Sequence, residues 1–251
     1  MLIFFQLFGA WGASTSVRQG TAIAVTLAFA MLARAIRGVS ATGAMAGAMV
    51  SFVLYLSLGA GAFVALVSVF LLASLATRLG YAQKERHGTA EKKGGRTASQ
   101  VLANLGVAAI AALLYASVGD PVFIIAVAAA LGEAASDTVS SEFGQARKQK
   151  ALLITTWEEV PAGTDGGVSA AGTIAGVIAA AMVSGVCVAV GLLNWRGFAI
   201  ATLAAIFGML VDSFLGASLE RRGALKNDAV NFLSTVAAAA LAVLFSSVFR
   251  K

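Results

Sequence analysis

The chain is poor in charge, proline, cysteine and histidine, and each shortage excludes something. Charged residues make up 12% of its 251 residues, about half the share in an ordinary soluble domain, roughly 25%. With 59% hydrophobic residues and a mean hydropathy of +0.87, a soluble globular class is excluded and an integral membrane protein is left. Only two prolines occur, and polar/apolar alternation is absent. That argues against an outer-membrane barrel and for spanning helices. The single cysteine, Cys187, lies in an apolar run, so no disulfide framework exists and the residue reads as packing. The single histidine, His87, cannot build a zinc site and reads as a surface residue. There is no G-x-x-x-x-G-K-[ST], so a P-loop nucleotide site is not supported. The apolar stretch 1–10 lacks a basic flank, so no cleavable signal is expected. The net charge of +6 reads as membrane topology rather than as a nucleic-acid footprint.

Long runs of Ala, Val, Leu and Gly predict an all-α, polytopic transmembrane bundle of about eight spans. The candidates are 21–36, 41–58, 61–80, 99–116, 121–141, 169–192, 197–219 and 228–249. Residues 1–251 read as a single domain. Residues 1–20 are a possible interfacial segment, since 1–11 is too short to span. Spaced glycines such as Gly43/Gly47 and Gly172/Gly176 suit close helix packing. The connections alternate in character. Fourteen of the eighteen Lys and Arg fall on alternate loops or beside them, and only Arg18, Arg196, Arg250 and Lys251 do not. The positive-inside rule makes those loops cytoplasmic, in a prokaryotic cytoplasmic membrane. Eight spans put both termini outside; a ninth at the N-terminus moves that end inside. Trp11, Trp157 and Trp195 read as interface anchors.

The acids do not follow from topology, which needs only Lys and Arg. All but Asp120 lie on the cytoplasmic side or at helix ends facing it. The stretch 132–144, GEAASDTVSSEFG, follows an apolar run yet carries Glu133, Asp137 and Glu142. Glu133 and Asp137 share a helix face, with Ser140 and Ser141 a turn further on. Carboxylates near hydrocarbon cost several kcal/mol unless paired, hydrated or metal-bound. Other polar residues form stripes at the same depth: Ser74 and Arg78; Arg96, Gln100 and Asn104; Asp212 between Gly208 and Gly216; Asn227 and Asn231. Five stripes predict one polar cavity open to the cytosol. Two loops suit a ligand. Lys92, Lys93, Gly94, Gly95 and Arg96 combine backbone amides with cations, which fits phosphate oxygens. In the stretch 160–172, VPAGTDGGVSAAG, Asp165 is flanked by Gly163, Gly166 and Gly167 ahead of Ser169. A glycine-rich turn feeding a helix N-terminus is an anion site in outline.

Five motifs in order resemble a known family: QVLAN at 100–104, D-T-x-x-S-E-x-G at 137–144, P-x-G-T-D-G-G-V-S at 161–169, D-S-x-L-G-A at 212–217, and VN at 230–231. They look like the signature of the integral-membrane phytyl-phosphate kinase family, over roughly 40–245. That family is similar to the CTP-dependent phytol and dolichol kinases, and its plant member acts in tocopherol and phylloquinone synthesis. Glu133 departs from the pattern, and the first forty residues match no part of it.

The resemblance implies phosphoryl transfer from a nucleoside triphosphate, expected to be CTP, to an isoprenoid monophosphate, with membrane lipids around the site. Two polyanions brought together call for Mg(2+) and cations. Magnesium takes oxygen ligands, so Asp137, Glu142, Asp165 and Asp212 are the catalytic and metal candidates. Arg78, Lys92, Lys93 and Arg96 would hold phosphates. Gln100, Asn104, Asn231 and Ser213 would orient oxygens or a base, beside Gly163, Thr164, Gly166, Gly167 and Ser169 of the glycine-rich loop. Two other classes stay open on the residues alone. One is a cation- or proton-coupled transporter. The other is a CTP-dependent lipid-phosphate cytidylyltransferase, which would release pyrophosphate.

Overall fold

The computed structural model describes residues 15–81, 84–85, 94–146 and 150–248. Candidates Lys92 and Lys93, together with His87, Trp11 and the N-terminal stretch 1–14, lie outside the described residues. Eight helices among the described residues are long and apolar enough to cross a membrane. They are α1 (Thr15–Ala35), α2 (Ala41–Leu58), α3 (Ala60–Arg78), α4 (Ala98–Val118), α5 (Val122–Ala146), α6 (Ala170–Ala189), α7 (Trp195–Leu215) and α8 (Asn227–Val248). The helical bundle expected from the apolar runs is therefore present, with boundaries close to those read from the sequence.

Local sequence explains the ends. Ser40, Thr97, Ser169 and Asn194 each accept a backbone N–H of the helix they open. Thr97 and Gln100 form a reciprocal capping box at the start of α4. Bulky apolar side chains such as Met31, Met45, Leu75, Ile174 and Leu203 face outward, as a lipid-facing surface requires. Trp157 and Trp195 are exposed at opposite ends of the bundle, as interface anchors would be.

Helix α5 is the centre. Two-thirds of its apolar window (67%) is buried, against 22–44% for the other seven helices. Small residues let its neighbours approach. A side chain on Gly172 would meet the Ser140 carbonyl at 2.6 Å, and one on Gly176 would meet that of Ser136 at 2.9 Å. The Gly172/Gly176 pair thus packs α6 against α5 as expected. The Gly43/Gly47 pair divides. Gly43 lies under the Arg96 carbonyl, whereas Gly47 faces open space.

The stretch between α5 and α6, read as a loop, adds a small antiparallel sheet to the bundle. Strands β1 (Ala151–Leu153), β2 (Glu159–Val160) and β3 (Gly167–Val168) pair in the order β2-β1-β3. Ala151 and Leu153 are buried beneath it. The sheet fixes the glycine-rich turn. Gly166 accepts the Ile154 N–H at 3.0 Å, and Thr164 accepts that of Gly167 at 2.8 Å. Gly166 adopts φ +75°, and a Cβ there would stand 2.4 Å from the Ala217 backbone nitrogen. The turn is therefore docked on the π-helical turn Gly216–Glu220 that ends α7.

Gly166→Ala should lower stability by at least about 1–2 kcal/mol from left-handed strain alone, before the clash is counted. Gly47→Ala should leave the melting temperature unchanged or raise it, since alanine is the better helix former. Thermal unfolding in detergent compares the two; an unperturbed Gly166→Ala protein would refute the docked turn.

Candidate functional site

One end of the bundle holds a cavity of about 380 Å³. The ends of α5 and α7, the starts of α6 and α8, and the glycine-rich turn form its walls. Asp137, Gly163, Thr164, Asp165, Gly166, Gly167, Ser169, Asp212 and Ser213 all line it, so nine sequence candidates from three separate motifs meet here. Asp137 and Asp212, on different helices, face the same cavity. Asp165 and Glu220 add two further acids to the lining. No Lys or Arg lines it among the described residues.

Beneath the cavity the acids are tied into a polar network. Ser234 donates to Asp212 Oδ2 at 3.2 Å, and Thr235 donates to Glu133 Oε2 at 2.9 Å. Asn231 is oriented by its hydrogen bonds. Its amide nitrogen donates to Asp212 Oδ2 at 3.1 Å, and its oxygen accepts from Asn104 at 3.1 Å. Asn104 also donates to the Gln100 carbonyl at 2.8 Å. Gly208 makes room for Glu133, whose Cγ would be 2.6 Å from a Cβ at that position. The Gly208–Asp212–Gly216 stripe thus has a use at each step: space for Glu133, the carboxylate, and space for Gly166.

The remaining candidates lie elsewhere. Glu142 is not in the cavity lining; it forms an ion pair with the buried Lys84. Lys84 also donates to the carbonyls of Thr77, at 2.9 Å, and Ala76, at 3.4 Å, so it caps the end of α3. The Gln100 side chain serves the α4 cap. The stripe residues do not share the single polar cavity expected of them but are spread over three spaces. Arg78 and Arg96 line a second cavity of about 250 Å³ with Ser74, Thr77 and Arg37. The cause is a backbone clamp. The Arg96 carbonyl accepts the Ser40 N–H at 2.9 Å, and its N–H donates to Gly38 at 3.2 Å. This draws Arg96 toward the α1–α2 connection, though its charge still reaches Asp137.

Sequence reasoning missed Glu220, Gln145 and Lys84 and gave Glu133 no role. Glu220 repeats the four-residue step of Asp212 and Gly216, a signal that could have found it. Lys84 carried none, because its partner is 58 residues away. Glu133 lies midway along α5, deeper than a helix-end position.

The donor set fits a hard cation in part. Every side-chain donor lining the cavity is oxygen or amide, as magnesium prefers. Gln145 Oε1 is buried there with no hydrogen-bond partner among the described residues. No group of three His, Cys, Asp or Glu among the described residues is close enough to hold a metal unaided. A cation here would therefore draw on one or two carboxylates, with the rest of its ligands from substrate and water.

A model of the family described as integral membrane protein DUF92 matches residues 24–239. The chain belongs to this family. All five motifs fall inside the matched stretch, so the family resemblance drawn from them stands, and the match begins about sixteen residues before residue 40, where the resemblance was expected to start. Among DUF92-like relatives, an uncharacterized membrane protein of Methanocaldococcus jannaschii is 32% identical over 236 residues, covering 92% of this chain and 95% of its own. One from Synechocystis is 33% identical over 196 residues, 76% of each chain. Protein VTE6, chloroplastic, of Arabidopsis thaliana is 29% identical over 218 residues, 83% of this chain and 66% of its own. No solved structure matches the chain significantly.

Breaking the Lys84–Glu142 pair from one side strands a buried charge. Glu142→Gln should cost about 3–5 kcal/mol. The double variant Lys84→Met/Glu142→Gln should recover most of that loss. Chemical denaturation of the four proteins reads the coupling directly; a fully stable Glu142→Gln single variant would contradict a structural role for the pair.

Proposed function

We propose that the chain is a prenyl-phosphate kinase. It would transfer the terminal phosphoryl group of a nucleoside triphosphate, preferentially CTP, to an isoprenoid monophosphate such as phytyl phosphate. The carrying observation is the Asp137–Asp212 pair, opening into a cavity walled by the glycine-rich turn. Support comes from the motif resemblance and from kinship with the chloroplast protein VTE6 of Arabidopsis thaliana. An acceptor phosphate oxygen attacks the γ-phosphorus, the bond to the bridging oxygen breaks, and the nucleoside diphosphate leaves. No covalent protein nucleophile is required, so positioning and charge carry the catalysis. Magnesium would offset the charge of the two polyanions when bound, with Asp137 and Asp212 as its protein ligands. Asp165 and Glu220 face the same space and would orient the hydrated side of the donor. The backbone of Gly163–Gly167, held rigid by the sheet, offers amides to phosphate oxygens. Arg78 and Arg96 flank the acceptor side.

Glu133, at mid-span and away from any charged loop, favours a second reading: a cation-coupled transporter. Products decide. Purified protein with magnesium, each of the four nucleoside triphosphates and a panel of prenyl monophosphates should yield a prenyl diphosphate and a nucleoside diphosphate. Pyrophosphate with a nucleotide-linked lipid would instead indicate a cytidylyltransferase, and no product at all would favour transport.

The acids supply a sharper test. Asparagine keeps the shape of aspartate but is a poor magnesium ligand. Asp137→Asn or Asp212→Asn should lower turnover on the order of 10²-fold or more. Thermal stability without magnesium should hold or rise, because two opposed acids no longer repel. A folded, fully active Asp137→Asn protein would remove that residue from the metal assignment.

The site's side of the membrane follows from the basic loops. With Cys187 replaced by Ala, single cysteines at the exposed positions Glu158 and Gly223 should resist an impermeant thiol reagent in intact cells, while one at Ser117 should react. Labelling of Glu158→Cys from outside would invert the arrangement.

A further inference from the structure

An apolar groove runs between α1, α2, α3 and α4 beside the acidic site. Phe29, Leu66, Val69 and Phe70 line it, with the bare backbone of Gly43 and Gly47 on the α2 wall. Its α4 wall is different. Arg96, Gln100 and Asn104, one turn apart, face the same space, so the groove is polar along one edge only. From Gly43 to Gly47 it follows α2 for about 6 Å at the rise of a helix. It encloses only about 60 Å³, so it is a slot for one chain and not a chamber. Two connections join it to the acids. Asn104 is hydrogen-bonded to Asn231, which is bonded to Asp212. Ala134, on the groove floor, lies three residues before Asp137 on α5.

We infer that this groove is the acceptor site. The prenyl tail of the monophosphate lies along Gly47, and its phosphate sits at the Arg96 edge. This rests on the kinase reading above and names where that reaction takes its lipid. The assignment follows from charge and shape together. An apolar chain suits the aromatic and aliphatic walls. An anionic head suits the Arg96 guanidinium. A head at that edge lies beside Arg96, whose charge reaches Asp137, and is linked to Asp212 through Asn104 and Asn231. The narrow slot favours a single-chain monophosphate over a two-chain phospholipid. Gly47 has nothing within 4 Å of where its Cβ would stand, so its missing side chain leaves the space a tail would occupy.

The test is binding, measured without nucleotide on the purified full chain in detergent. A short ligand, dimethylallyl monophosphate, is compared with a long one, geranylgeranyl monophosphate. Gly47→Leu should weaken the long ligand about tenfold and leave the short one unchanged, because the added side chain fills the slot away from the head. A long monophosphate carrying a tail diazirine should label residues on the groove faces of α1 to α3. The cross-linking arm uses the unmodified protein, so it decides the matter even if Gly47→Leu folds poorly. Equal loss for both ligands, no loss for either, or labelling confined to outward residues such as Met45 and Leu75 would overturn the site. Competition by phosphatidic acid as strong as that by the prenyl phosphate would overturn the single-chain assignment. Failure of the kinase reading shows up separately, as tight and length-selective binding with no diphosphate formed.

Discussion

Carboxylates inside an apolar bundle are the constraint on which this architecture depends. A lone acid at membrane depth costs several kcal/mol, and here Glu133, Asp137 and Asp212 gather on three turns of two helices. They are tolerated because each meets a donor or a water-accessible space. Thr235 reaches Glu133, Ser234 and Asn231 reach Asp212, and Asp137 opens onto the cavity. The donors all stand on α8, which explains why that helix begins with polar residues at 227 and 231 and keeps Ser234 and Thr235 buried. Removing a donor would leave a buried carboxylate with one partner fewer, which is the more costly side of a hydrogen bond.

Glycine makes the network geometrically possible. Gly208 admits Glu133, Gly172 and Gly176 bring α6 against α5, and Gly216 and Gly166 let the turn bearing Asp165 touch the end of α7. In a membrane, close backbone approach replaces the hydrophobic drive that holds soluble helices together. The same contacts that stabilise the bundle therefore set the distances between the acids. Charge is sorted at the same end: acids face one cavity, while Arg78 and Arg96 face another across the start of α4.

Much of this was legible in the chain. Apolar runs of spanning length gave the helices, since hydrocarbon thickness fixes how many residues a span needs. Motif content gathered Asp137, Asp165 and Asp212 into one site before any contact was known. The failures share one cause. Glu142 looked like a fourth ligand because it shares a motif with Asp137, yet Lys84 claims it. Arg96 looked like part of the acidic site because it shares a stripe with Asn104, yet its backbone is clamped to Ser40 and Gly38. Periodicity says which residues share a face, but not what a neighbouring helix presents to that face.

The sequence by itself therefore determined the membrane class, the eight spanning helices among the described residues and three of the converging acids, Asp137, Asp165 and Asp212. Those properties follow from local quantities: hydropathy over a span, helical spacing, and the tolerance of glycine for tight turns. Only the tertiary structure decided which acid pairs with which partner, that the polar stripes face separate cavities, and that Glu133 is buried at mid-span. Each of these depends on contacts between residues far apart in the chain, and such contacts are set by how closely the helices pack around α5.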